Sequence, residues 1–240
     1  MAMKGIDVSK WQGCIDWNKV KDKIDFAILR AGYGRLETQK DTTFEQNYKG
    51  CTENNIPCGA YWYSYAKTPE EAEKEAEVFL NVIKGKKFEY PIFFDVEEQN
   101  VLALGKEKVS AIINAALAKI EKAGYWAGLY MSSYWLKTVV DEQTRKRYAV
   151  WIAHYDVAEP SYDGEYGIWQ YSSKGKVDGI NGDVDLNIGY KNYPELIRKA
   201  NLNNLKFDEL EKNENENSIT IAVTIGNDVY GGTLFKMEGE

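Results

Sequence analysis

Asp95 and Glu97 stand two residues apart at the end of an apolar, aromatic run, Tyr90-Pro91-Ile92-Phe93-Phe94-Asp95-Val96-Glu97-Glu98. Such a run predicts a buried strand that carries carboxylates out at its C-terminal end. Side chains alternate across a strand, so the two acids point to the same side. Their Cα atoms are expected roughly 6.5–7 Å apart, two steps of about 3.3 Å each. Acids forced together push their pKa values apart, so one keeps its proton while the other ionises. Glycoside hydrolysis uses that division of labour. The alternative is a solvated acidic strand end leading into a loop, and this stretch alone leaves both open.

The elements that must position these acids follow from the pattern around them. Strands are predicted at 6–9, 26–34, 58–65, 90–97, 126–131, 149–155, 167–171 and 184–188, the second running into a Gly-rich loop. Helices are predicted at 43–55, 69–83, 106–123, 133–147 and 193–200, with a capped helix start at Asp16. Pro69 suits a first helical position, and Glu70 and Glu71 suit the first turn, where the helix dipole favours acids. Alternating strands and helices argue for a parallel sheet. Eight strands suggest closure into a barrel of the (β/α)8 type, modified to (β/α)5(β)3 because the helices between strands stop after the first part. An open doubly wound sheet is the alternative, but no Gly-x-Gly-x-x-Gly loop follows a strand.

Closure has a geometric consequence. Strands one and eight become neighbours, and Asp7 lies in the first and Asp185 in the last. With both followed by loops at the C-terminal face, four acids distant in sequence converge on one mouth: Asp7, Asp95, Glu97 and Asp185. Singly, each suits a structural role; as a set at strand ends they favour catalysis.

Composition narrows the function. The 240 residues are 44% hydrophobic and 13% aromatic, enough for one large domain with a small appendage. Seventeen Tyr and seven Trp exceed what a core needs, since each polar tip wants a partner; sugar-binding grooves use such rings, as does packing between barrel and helices. A net charge of −7 argues against a nucleic-acid partner. Residues 201–240 carry −5 of it, from three lysines and eight acids, which leaves the main domain nearly neutral. Cys14, Cys51 and Cys58 are odd in number and match no zinc spacing, consistent with a reduced compartment. No apolar leader is visible at the N-terminus, and no stretch reaches the ~18 apolar residues of a membrane span, so synthesis in the cytoplasm without membrane insertion is expected. His154 is the one histidine and has no Gly-x-Ser-x-Gly elbow, so it is expected to be a packing residue rather than a base. No cofactor or metal is expected.

Five collinear motifs carry a resemblance. They are Gly5-Ile6-Asp7-Val8-Ser9 with Trp11-Gln12-Gly13, Phe94-Asp95-Val96-Glu97, Trp151-Ile152-Ala153, Trp169-Gln170-Tyr171, and Val184-Asp185-Leu186-Asn187. Over about residues 4–200 the chain resembles the family 25 glycoside hydrolases, lysozymes of bacteria, fungi and phages. The resemblance implies a flattened eight-stranded barrel that cleaves peptidoglycan between N-acetylmuramic acid and N-acetylglucosamine. It implies that Glu97 is the general acid, that Asp95 assists, and that Asp7 and Asp185 shape the site. It implies that Tyr63, Tyr65, Tyr130, Trp151 and Gln170 fall at or near the positions lining the groove. Because both sugars carry N-acetyl groups, substrate assistance is the preferred mechanism. The alternatives are a chitinase-like enzyme of family 18, whose strand carries further aspartates where this chain has Ile92 and Phe93, and a non-catalytic glycan-binding module.

The tail divides from the barrel. Residues 201–217 have linker composition, rich in Asn, Glu and Lys. The stretch 218–225 alternates strictly and, with 229–236, predicts a β-hairpin in the segment 218–240. A two-stranded hairpin is marginal alone, so self-association or wall targeting is its expected use, or docking on the barrel. Lytic activity without a leader suggests release through a membrane hole made by another protein, as for a phage endolysin, or a bacterial autolysin exported otherwise.

Overall fold

The computed structural model describes residues 2–206, 218–225 and 228–235, the last two segments as backbone strands. In chain order the elements are β1 (Met3–Val8), α1 (Trp17–Val20), β2 (Phe26–Tyr33), α2 (Phe44–Glu53), β3 (Cys58–Tyr63), α3 (Pro69–Ile83), β4 (Ile92–Asp95) and α4 (Gln99–Leu102). Then come α5 (Lys106–Lys122), β5 (Ala127–Ser132), α6 (Ser133–Val139), α7 (Glu142–Arg147), β6 (Ala149–Ala153), β7 (Ile168–Gly175), β8 (Val184–Gly189) and α8 (Tyr193–Lys199).

Strands β1 to β8 close into a barrel in sequence order. Helices separate the first six strands, and no helix separates β6, β7 and β8. The expected modified barrel is what forms, with one correction. The sheet is not wholly parallel: β1 to β7 run parallel, but β8 runs antiparallel to both β7 and β1. Parallel neighbours need a long crossover, whereas antiparallel ones are joined by a simple loop. The stretch between Gly175 and Val184 holds such a loop.

The period of two sorts the apolar runs into two layers. Phe26, Ile28, Phe93, Trp151 and Ile168 fill the barrel interior. Leu29, Trp62, Phe79, Phe94, Ile112 and Leu117 pack between the strands and the helices around them. Phe93 and Phe94 therefore face opposite ways, which is why β4 reads as a continuous apolar run. Gly5 and Gly128 lie against the Phe26 and Phe93 rings, and a Cβ at either would overlap a ring.

Local chemistry explains most boundaries. Thr68 Oγ1 accepts from the Glu71 N–H and Pro69 occupies the first turn, so α3 begins as expected. Asp16 precedes α1 but makes no capping hydrogen bond; it pairs with Lys19 at 3.7 Å instead. The helix expected at 133–147 is two. Val140 is extended, and Asp141 Oδ1 accepts from the Thr144 N–H at 2.8 Å to start a new helix.

The chain divides into two units, 1–205 and 206–240. The linker was expected to begin at 201, but the barrel unit extends to Leu205 because Asn203 anchors it. Asn203 is fully buried, donates to the Phe88 and Tyr90 carbonyls, and accepts from the Trp126 N–H at 2.7 Å. Most of the expected linker, 207–217, lies outside the described residues. In the second unit β9 (Ser218–Ile225) and β10 (Asp228–Phe235) pair antiparallel, from Asp228↔Ile225 to Phe235↔Ser218.

Candidate active site

Each of the four acids reaches the mouth from a strand end. Asp7 is one residue from the end of β1, Asp95 ends β4, and Glu97 lies two residues beyond it. Asp185 reaches the same mouth from the other direction. It stands near the start of the reversed strand β8, not before a C-terminal loop, and pairs in register with Asp7. Neighbouring registers put Asp95 level with Tyr63 on β3 and with Tyr130 on β5.

Asp7 is buried and held by two amides. Gln170 Nε2 donates to its Oδ2 at 2.7 Å, and Asn187 Nδ2 donates to the same oxygen at 2.8 Å. The amide orientations are fixed from behind. Gln170 Oε1 accepts from the hydroxyls of Tyr130 at 2.7 Å and Tyr155 at 2.6 Å. Asn187 Oδ1 accepts from Trp151 Nε1, a donor only, at 2.8 Å. The indole N–H therefore turns the Asn187 nitrogen to the carboxyl, and the two tyrosine hydroxyls favour the same orientation for Gln170. Burial pushes the Asp7 pKa well up, and the neighbouring Asp185 adds to this. Asp185 is also raised by burial, against a hydrogen bond from Asp7. Burial therefore favours the protonated form at both carboxyls, and more strongly at Asp7.

Asp95 is buried 3% exposed, and its Oδ1 has no hydrogen-bond partner among the described residues. Burial raises its pKa well above the usual carboxylate range, Glu97 and Asp7 raise it further, and Arg30 opposes them. Arg30 comes from β2 and is itself fixed by Asp41, whose Oδ2 accepts from Nε at 2.7 Å. Glu97 differs from the other acids because its side chain opens to solvent. Its carboxyl is nonetheless raised, first by desolvation from the surrounding walls, then by Glu98 and Asp185. Glu98 accepts from the Tyr63 hydroxyl at 3.1 Å.

The five expected groove residues separate into two groups. Tyr63 and Tyr65 stand at the mouth with ring centroids 5.1 Å apart, and Tyr65 is 46% exposed. Tyr33 meets Tyr65 edge-on at 6.2 Å. Tyr130, Trp151 and Gln170 are buried below them, and their polar atoms orient the acids. Trp151 is wedged among Tyr61, Phe93 and Tyr130. His154 is structural: its Nδ1 accepts from the Ser161 N–H at 3.1 Å and pins the following loop.

The sequence reading missed Arg30, Asn187, Tyr155 and Glu98 as parts of the site. Arg30 had a signal, a lone cation inside Phe26-Ala27-Ile28-Leu29-Arg30-Ala31. An Arg at a strand position that alternates into the barrel must have an acid partner.

Residues 6–180 match the model of the glycosyl hydrolases family 25. The chain belongs to that family. It is thus a glycoside hydrolase, and the match takes in Asp7, Asp95, Glu97 and Gln170 of the mouth just described. The chain is 32% identical over 195 residues to an uncharacterized protein, YegX, of Escherichia coli strain K12, covering 78% of this chain and 69% of the relative. It is 32% identical over 187 residues to the autolytic lysozyme of Clostridium acetobutylicum, covering 77% of this chain and 55% of that protein. The barrel is similar to the solved structure of a bacterial lysozyme from Streptomyces coelicolor, with a TM-score of 0.71 at 26% identity, covering 82% of this chain and 96% of that one.

Proposed function

We propose that this protein is a lysozyme that hydrolyses the β-1,4 bond between N-acetylmuramic acid and N-acetylglucosamine in bacterial peptidoglycan. The observation that carries the reading is the contrast between two neighbouring acids. Glu97 opens to the mouth with a raised pKa, and Asp95 lies buried beside it with Arg30 as counter-charge. Family membership and the lysozymes among the relatives support the same reading. The site of action is the cell wall.

The acids divide the work by environment. Glu97, whose raised pKa favours the protonated form, gives its proton to the glycosidic oxygen as the C1–O bond breaks. Positive charge develops at the anomeric carbon. The acetamido oxygen of the substrate attacks that carbon, and Asp95 steadies the resulting cation. Burial holds Asp95 toward its neutral form and Arg30 opposes this, so Asp95 acts as a carboxylate where Arg30 and the developing positive charge together outweigh burial. Water then opens the cyclic intermediate and returns the proton to Glu97. Configuration at C1 is retained.

The test is digestion of purified peptidoglycan by wild type and Glu97→Gln, with products read by mass spectrometry and NMR. Glutamine keeps the shape and removes the proton, so the rate should fall by at least ~10²–10⁴. Wild-type fragments should end in N-acetylmuramic acid with retained configuration. Inversion would overturn the acetamido step, and unaltered wall would overturn the lysozyme reading in favour of a glycan-binding module.

A further inference from the structure

The barrel has a second concavity, at the end away from the acids. It measures about 1070 Å³, and Ala127, Ala149 and Gly167 line it. These residues lie at or just before the starts of β5, β6 and β7. Tyr130, level with Asp95, is three residues further along β5 than Ala127. The length of β6 from Ala149 to Ala153, roughly 13 Å, separates the two ends.

Charge in this cavity is mostly cancelled. Arg147 pairs with Glu121, Lys146 with Glu142 and Lys191 with Glu165. Among the described residues Arg145 makes no ion pair within 4 Å, but its side chain hydrogen-bonds Tyr162 and Glu142 acts on it through space; Asp163, also in the lining, is likewise outside any ion pair. The Arg145 guanidinium lies 5.9 Å over the Tyr162 ring, and its buried Nε has no hydrogen-bond partner. Tyr148, 6% exposed, also lines the cavity, and its buried hydroxyl is unpartnered. Buried polar atoms left unpaired cost free energy and call for a partner. Tyr166 packs between Tyr162 and Tyr190, at 6.4 and 5.5 Å, which extends the aromatic wall toward solvent.

Ring faces beside isolated polar groups suit a ligand that is apolar on its faces and polar at its edges. A saccharide has that form. A guanidinium outside any ion pair suits a carboxylate at low density along it. Sugars with one lactyl carboxylate per disaccharide are the repeat of the polymer assigned to the active site.

We propose that this cavity is a second glycan-binding site, taking a neighbouring stretch of peptidoglycan with a muramic acid carboxylate on Arg145 and a sugar polar group on Tyr148. The inference rests on peptidoglycan being the substrate. A polymer held at one end of the barrel stays at high effective concentration at the other. Such a site matters for an insoluble wall and not for a short soluble chain.

The experiment compares wild type, Arg145→Gln and Tyr148→Phe on insoluble sacculi and on a soluble muropeptide tetrasaccharide. Both variants keep the bulk of the side chain, and thermal melting checks that they fold. Arg145→Gln should raise the apparent KM on sacculi about tenfold, as expected for one charge-assisted hydrogen bond, and Tyr148→Phe by several-fold. Turnover of the tetrasaccharide should be unchanged. Cosedimentation of Glu97→Gln protein with sacculi should weaken in parallel when either substitution is added. Variants equal to wild type on sacculi, or equally impaired on both substrates, would overturn the second site. Failure of the lysozyme reading looks different: wild type would then release no reducing ends from either substrate.

Discussion

Glu97 touches solvent and yet resists ionisation, because the surrounding walls desolvate it and the like charge of its neighbour Glu98 opposes a second carboxylate. Glu98→Gln removes that like charge and keeps an acceptor for the Tyr63 hydroxyl. The Glu97 pKa should fall, so the alkaline limb of kcat/KM against pH should move to lower pH; an unmoved limb would mean that Glu98 is too well screened to matter. Asp7 offers a test of the opposite kind. Its folded pKa lies well above the unfolded value, so the native state holds a proton that the unfolded chain has lost. Its contribution to stability is therefore full below about pH 4 and declines as pH rises toward the folded pKa. Asp7→Asn fixes the neutral form: the amide oxygen can accept from Gln170 and Asn187 while the amide nitrogen donates toward Asp185. Melting at pH 7 should rise by about 2–4 °C, with the gain fading below about pH 4, while hydrolysis falls. A lower melting temperature at pH 7 would show that native Asp7 is ionised. The acids themselves were legible in the sequence, because an apolar strand ending in carboxylates is locally unusual. The amides that hold Asp7 were not, since Gln170 and Asn187 acquire their partners only when β7, β8 and β1 meet.

At the scale of elements, the eight strands were legible from apolar runs and their spacing, and the direction of β8 was not. A strand has the same alternation read either way, so only the missing crossover helix between β7 and β8 hints at reversal. The split of α6 from α7 was hidden for a similar reason: Asp141 suits both a helix surface and a cap, and the break depends on its bond to Thr144. Asn203 is the clearest anchor between elements, bridging the approach to β4, the start of β5 and the chain after α8. Asn203→Ala removes those side-chain bonds and leaves buried carbonyls and an N–H unpaired. A loss of about 2–3 kcal/mol is expected. That corresponds to a fall in melting temperature of roughly 5–10 °C, with kcat unchanged in the folded enzyme. A shift near zero would mean that water replaces the amide.

For the whole molecule, the separate unit 206–240 had a compositional signature, and its paired strands follow the alternation read from the sequence. Its use is a proposal. A two-stranded hairpin alone is marginal, so we infer that it supports self-association or wall targeting. Sedimentation and wall binding of the full chain and of a chain ended at Leu205 should differ; identical mass and identical binding would remove that role. Hydrolysis of a soluble substrate should survive the truncation, because every candidate site residue precedes residue 206.

The pairing of Asp7 with Asp185 also sets when an emerging polypeptide becomes dangerous to a wall. One member lies on the first strand of the barrel, and its partner arrives only with β8, the last. Asn187, which steadies Asp7, arrives with it. A prematurely terminated product that stops before residue 184 lacks both groups and the strand that seals the barrel, so lytic power appears near the end of barrel synthesis rather than growing with chain length.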